Sequence, residues 1–209
     1  MQKLKIQFLI SSIILLLFIS CKTYEIPNVS TIESQQKTCK NTYFSSSETA
    51  YVYKTTIDVY SKQLSGIFIA KKINDTMHRV VFTTDFGNTL LDFEISEKSF
   101  ELKHCIDELN KNIILNTLKN DFRLLFKTNH IIFKIFENET NLIYKSKNEK
   151  QFNYLMFNKN ELRLVQLIQA SKTKEKVVIH FQSKNSTLAE NIIIDHQNIK
   201  VKIELNRIN

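Results

Sequence analysis

Ile199-Lys200-Val201-Lys202-Ile203-Glu204-Leu205-Asn206 is the stretch from which the rest of the chain can be read. Ile199, Val201, Ile203 and Leu205 fall on one face of an extended segment, and Lys200, Lys202 and Glu204 on the other, because successive side chains of a strand point to opposite sides. Such alternation marks a half-buried antiparallel strand. Working outward from it, the same texture predicts strands at Asn191 to Asp195, Lys176 to Gln182, Glu161 to Gln169, Phe152 to Phe157, Leu142 to Lys145 and His130 to Glu137. Nearer the amino end it predicts Phe100 to Lys103, Thr89 to Ile95, His78 to Asp85, Ser65 to Ile73 and Tyr51 to Tyr60. Asn74-Asp75, Phe86-Gly87-Asn88, Asn158-Lys159-Asn160 and His196-Gln197-Asn198 fit tight connections, since Asn and Asp tolerate positive φ. The expected arrangement is a meander.

One segment breaks the period of two. From Asp107 to Phe126, Ile114, Leu115, Leu118, Phe122, Leu125 and Phe126 recur at helical spacing opposite Asn112, Asn116, Lys119, Asn120 and Arg123. Asp107 is the expected start, as a cap at the positive end of the helix dipole. The predicted fold class is therefore mainly β (α+β): a curved, unclosed antiparallel sheet with an amphipathic helix across its concave face. A sheet of this many strands must curl or split, and one helix is too small to cover all of a concave face.

The amino end has a different logic. Lys3 and Lys5 precede an apolar run from Phe8 to Ile19, which is too short for a comfortable bilayer span and ends at Ser20-Cys21. Residues 1–20 thus read as a signal peptide. Phe18-Ile19-Ser20-Cys21 resembles the lipobox of bacterial lipoproteins, in which the cysteine is acylated once the signal is removed. Residues 21–48 lack periodicity, hold the sole proline, Pro27, and read as a lipidated flexible tether to a body at 49–209. The signal contains two of the 29 Lys+Arg and none of the 21 Asp+Glu, which leaves 27 against 21, a net +6 after cleavage. The lysines are scattered, so this charge reads as a solvated surface, and export disfavours nucleic acid.

Catalytic signatures are sparse. With Gly66 and Gly87 as the sole glycines, no nucleotide-phosphate cradle and no G-x-S-x-G elbow can be assembled. His78, His104, His130, His180 and His196 stand singly, without metal-ligand spacing, and each reads as a surface or strand-edge residue. His104 and Cys105 are neighbours and diverge on either a strand or a helix, which argues against a dyad. Asp85, Asp92, Glu94 and Asp121 supply carboxylates that nothing in the sequence pairs. The expectation is a non-enzymatic protein without cofactor or metal. A hydrolase with a dispersed site, His78 or His180 beside a carboxylate, stays open. Cys39 and Cys105 could form one disulfide outside the cytoplasm or remain two thiols, and the sequence leaves both alternatives open. Asp75-Thr76-Met77 resembles a short O-glycosylation motif of exported Bacteroidota proteins, and a hairpin turn accounts for it equally well.

The order of these pieces resembles LolB, the family of outer-membrane lipoproteins that receive other lipoproteins, and its uncharacterised lipoprotein relatives. The residues that carry the likeness are Cys21, Ser65-Gly66-Ile67-Phe68, Arg79-Val80-Val81-Phe82, and Phe86-Gly87-Asn88-Thr89-Leu90-Leu91-Asp92-Phe93. Ile114-Leu115, Leu118, Asp121-Phe122-Arg123-Leu124-Leu125, Ile192-Ile193-Ile194 and Ile199 to Leu205 continue it. The resemblance implies a lipid-anchored, periplasm-facing outer-membrane protein whose half-barrel encloses an apolar cavity for acyl chains of lipid or lipoprotein. Phe82, Leu91, Phe93, Leu118, Phe122 and Phe126 are the candidates for its lining. Two alternatives remain open: that these residues form a closed core, and that the protein is an assembly lipoprotein binding another envelope protein.

Overall fold

The computed structural model describes residues 23–148 and 151–208. The expected signal peptide and Cys21 lie outside the described residues. Two short strands come first, β1 (Ser30–Ile32) and β2 (Thr38–Lys40). A first run of hairpins follows: β3 (Ala50–Val59), β4 (Lys62–Lys72), β5 (His78–Thr83), β6 (Thr89–Ile95) and β7 (Phe100–Cys105). The helix α1 (Asn112–Phe126) leads into a second run, β8 (Asn129–Glu137), β9 (Asn141–Asn148), β10 (Gln151–Asn158) and β11 (Leu164–Ala170). β12 (Glu175–Ser183), β13 (Ala189–His196) and β14 (Val201–Arg207) complete it. All the strands predicted from Tyr51 onward are present, and all pair antiparallel in one sheet.

The sheet order is β1-β8-β9-β10-β11-β12-β13-β14-β3-β4-β5-β6-β7, with β2 also on the outer edge of β8. Two sequential meanders are thus joined by one non-local pair, β14 against β3, in which Ile203 faces Ile57 and Val201 faces Val59. The sheet does not close on itself, so the expected curved, open architecture is the one observed.

Alternation sorts the side chains as the pattern dictates. Tyr53, Ile57, Phe68, Val80, Phe82, Leu91 and Phe93 point inward from the first meander, and Leu155, Leu167, Ile179, Ile192, Ile194, Ile203 and Leu205 from the second. α1 lies over this face and buries Ile114, Leu118, Asp121, Phe122, Leu125 and Phe126. Each buried large apolar side chain contributes about 1.5–3 kcal/mol relative to exposure, so this layer dominates the stability of the fold.

The helix begins four residues later than a cap at Asp107 predicts. Ile106 O accepts from both Leu109 N (3.1 Å) and Asn110 N (2.9 Å), which bends residues 107–109 into a turn and drives Leu109 into the core. Asp107 therefore cannot cap. Lys111 stands at the cap position without a side-chain hydrogen bond.

The expected flexible tether is also corrected. β2 pairs Cys39 with His130, Asn41 N donates to Thr128 O, and Asn41, Tyr43 and Phe44 are buried. Phe44 packs edge-on to Phe126 at 5.2 Å, and Tyr43 stacks on Phe181 at 4.8 Å. Burial of these aromatics outweighs the loop-like composition around them. Gly66 shows why one strand position admits no side chain: a Cβ there would stand 1.8 Å from Thr83 O.

Candidate functional site

The six proposed lining residues come together, but around each other. Phe122 stacks on Phe68 at 5.3 Å and lies 5.4 Å from Phe93 and 5.8 Å from Phe126. Phe82, Leu91, Phe93, Leu118 and Phe122 are each buried to 2% exposure or less. Aromatic rings at these separations leave no room between them for a hydrocarbon tail. The deep trough is filled core, and Phe126 also borders an open space.

That space is a cleft of about 340 Å³ at the carboxyl end of α1, where the β4–β5 and β6–β7 turns meet the start of β8. His78, Ile95 and Phe126 form its apolar wall, and its rim carries three cations, Lys98, Arg123 and Lys127, beside two carboxylates, Asp75 and Glu97. A more polar cleft of about 570 Å³ shares Glu97, Arg123 and Lys127 with it and extends to Gln169, Ser171 and Lys176. Arg123 is positioned by Nε donating to Ser96 O at 3.1 Å, and Lys127 pairs with Glu97 at 3.2 Å. Arg123 stands in the last turn and Lys127 at the C-cap, where the negative end of the helix dipole favours cations.

A row of polar side chains leads inward from the second cleft. Gln169 Nε2 donates to Asn153 Oδ1 at 3.2 Å, and Asn153, fully buried, leaves Nδ2 without a hydrogen-bond partner. Ser146 and His130 continue the row on β9 and β8. Burial pushes the His130 imidazole down to about 4, so it is neutral at physiological pH.

His78, His130 and His196 depart from the surface reading, whereas His104 keeps to it. His78 is buried, stacked on Phe126 at 4.5 Å with Nε2 on Phe44 O at 2.8 Å, and burial pushes its pKa down. His196 Nε2 meets Asp121 Oδ2 at 2.9 Å between the end of β13 and the helix. Burial raises the Asp121 carboxyl, an effect that His196 opposes. Among the described residues this pair makes no hydrogen bond to a serine, threonine or cysteine, and it serves to latch α1 to the sheet. His180 is exposed.

Cys39 and Cys105 are both free, the first buried on β2 at one edge of the sheet and the second half-buried at the end of β7 at the other. Burial pushes Cys39 up to about 12 and Cys105 to about 11, so neither is a ready thiolate. Thr76 sits in the β4–β5 turn, where Asn74 Oδ1 accepts from Thr76 N and Met77 N, each at 3.0 Å. Asp75-Thr76-Met77 is an exposed turn held by that asparagine.

The opposite face of the second meander carries its own small core. Ile143, Tyr154, Met156, Ile168, Ala170 and Val178 cluster there and are covered by Tyr24, Ile26 and Val29. Tyr24 N donates to Lys172 O at 2.8 Å and its hydroxyl to Glu175 at 2.5 Å. Sequence reasoning missed this strap, because Tyr24, Ile26 and Val29 are too few to show a period.

Among the described residues no helix is long and apolar enough to cross a membrane. No family model matches the chain, and no curated protein matches it. A crystal structure described as an outer membrane lipoprotein-sorting protein domain from Vibrio parahaemolyticus is similar to it at TM-score 0.40 and 7% identity, over 77% of this chain and 83% of that one.

Proposed function

We propose that this protein is a membrane-tethered envelope lipoprotein that binds an amphiphile, a lipid or the acyl chain of another lipoprotein, at the cleft beside the carboxyl end of α1. It carries out no chemical step and uses no cofactor. The observation that carries this reading is the pairing of an apolar wall, His78, Ile95 and Phe126, with a rim on which Lys98, Arg123 and Lys127 outnumber Asp75 and Glu97. A cleft of about 340 Å³ is at the small end of the range that holds ligands. Each methylene buried there contributes about 0.8 kcal/mol, and an anionic headgroup would meet Arg123 in partly desolvated surroundings and would compete with Glu97 for Lys127. The expected lipid site thus moves from the filled trough to its rim.

Organic extraction of the purified mature protein tests this. Stoichiometric lipid is expected, with loss of most of it in an Arg123→Glu, Lys127→Glu variant. An extract without lipid from the parent protein overturns the reading.

The assembly alternative is favoured by one observation, the filled inner face, which leaves surfaces rather than a cavity for a partner. The free edge at β7 offers little to it, because Glu101, Lys103 and His104 are exposed there and charged edges resist strand addition. Crosslinking in intact envelopes that recovers one protein partner and no lipid would select this alternative.

A further inference from the structure

Two residues, Lys22 and Thr23, separate Cys21 from Tyr24, and Tyr24 is already pinned to the body by Lys172, by Glu175 and by its edge-on ring contact with Tyr154 at 5.4 Å. The three fully extended steps from Cys21 to Tyr24 reach roughly 10 Å. An acylated Cys21 would hold the surface beside Tyr24 against the lipid headgroups, with no slack on which the body could stand off.

The surface that begins there has the chemistry of a membrane interface. From Tyr154 the outer face continues through Lys145, whose Nζ lies 5.0 Å from the Tyr154 ring, 4.6 Å from Phe152 and 5.7 Å from Phe133. The ladder between β8 and β9 shifts register between Ile132 and Lys134, and Phe133 is the extra residue thrust outward at that bulge. Phe133 is 55% exposed and Ile131, two residues before it, 78%. Lys134 lies opposite Lys145, and Lys147 opposite Phe152. Aromatic and aliphatic side chains among lysines whose stems are apolar and whose heads are cationic suit the headgroup region of a bilayer. Among the described residues Glu25 is the carboxylate whose charge acts on Lys145. The outer face of the first meander differs: it is neutralised by pairs such as Arg79 with Asp92 and Lys103 with Glu94.

We infer that the outer surface formed by Ile131, Phe133, Lys134, Lys145, Lys147 and Phe152 lies on a membrane containing anionic phospholipid, held there by the short link to acylated Cys21. Ser171 and Lys176, on either side of the turn that pins Tyr24, line the second cleft, so this orientation brings that cleft beside the bilayer. The inference rests on the lipidation and amphiphile readings above, and gives the amphiphile its source, the adjacent leaflet.

The chain contains no tryptophan, so a single introduced indole reports its own surroundings without background. The lipidated full protein is reconstituted into phosphatidylcholine vesicles with and without phosphatidylglycerol, using acyl-brominated lipid as quencher. Ile131→Trp and Phe133→Trp are expected to lose most of their emission, more so with phosphatidylglycerol. Phe86→Trp, at a turn residue 95% exposed in the first meander, is expected to keep it. Equal emission at all three positions overturns the inference, as does quenching at Phe133→Trp that is unchanged by Lys134→Glu with Lys147→Glu. Protection of Phe133→Trp by a protein partner instead of lipid also overturns it. Mass spectrometry of Cys21 reads the tether separately: an unacylated cysteine removes the link, whereas lipid extraction from the cleft is scored independently of either result.

Discussion

The inner core under α1 and the small outer core under residues 24–29 are built from the same strands, β9 to β12, yet they are sealed in different ways. Leu155, Leu167 and Ile179 belong to one buried cluster with the helix and a bank of phenylalanines, while their neighbours Tyr154, Ile168 and Val178 meet an irregular strap of a few residues. A helix supplies its own backbone hydrogen bonds and brings a continuous apolar stripe, whereas a strap must borrow its bonds from the sheet it covers, as Tyr24 does from Lys172 and Glu175. The same sheet therefore has a face that holds the fold together and a face that depends on how its cover is tied down.

The sharpest way to break this comparison is to cut into both cores. Phe122→Ala removes the ring that touches Phe68, Phe93 and Phe126 and is expected to cost about 4 kcal/mol in urea denaturation, whereas Met156→Ala in the outer core is expected to cost about 2 kcal/mol. Equal costs would mean that the strap seals as well as the helix.

Acid separates the two regions by chemistry. His130 lies on the inner side of β8 and takes a proton in the unfolded chain near its ordinary 6.5, but in the folded chain only near about 4. Its contribution is whole above pH 6.5 and is lost as pH falls from 6.5 to about 4, by roughly 3 kcal/mol in total, and His78 acts in the same direction. Melting temperature against pH is expected to fall less steeply across that window in His130→Gln. An unaltered slope would place the acid sensitivity elsewhere.

The smallest effect is expected at the strap. Tyr24→Phe deletes the half-buried hydroxyl that donates to Glu175 and should cost about 1 kcal/mol. Hydrogen exchange is expected to quicken in residues 24–29 with little change in α1. A global loss of protection would show that the strap belongs to the main cooperative unit.

Strand existence was legible because alternation is a local signal. It told which side of each strand is buried, so Phe82, Leu91 and Phe93 were correctly set inside. It could not tell what stands opposite them, since the Phe68–Phe122 stack joins residues 54 positions apart. His78 carried an unused signal, for it is in phase with Val80 and Phe82 on β5, just as His130 is in phase with Ile132 on β8. Those registers imply buried, neutral imidazoles. Asn41-Thr42-Tyr43-Phe44 gave only an aromatic pair in a non-repeating stretch, too short for any period to report its burial. The cleft was not legible at all, because its wall and rim come from turns and strand ends that meet only in three dimensions.

The junction of β14 with β3 sets the order in which this molecule can assemble. Every other strand pair in the main path, apart from the edge strand β1 on β8, joins neighbours in sequence and can close as a hairpin within a short length of chain, but residues 201–207 must find residues 53–59 across the whole intervening polypeptide. Loop-closure entropy makes that the slow zippering step, after two half-sheets have formed separately. Until the last strand has docked, β3 and β13 are bare edges that carry Ile57 and Val59 and Ile192 to Ile194, and the protein is most vulnerable to aggregation in the interval before the final seven-residue strand pairs.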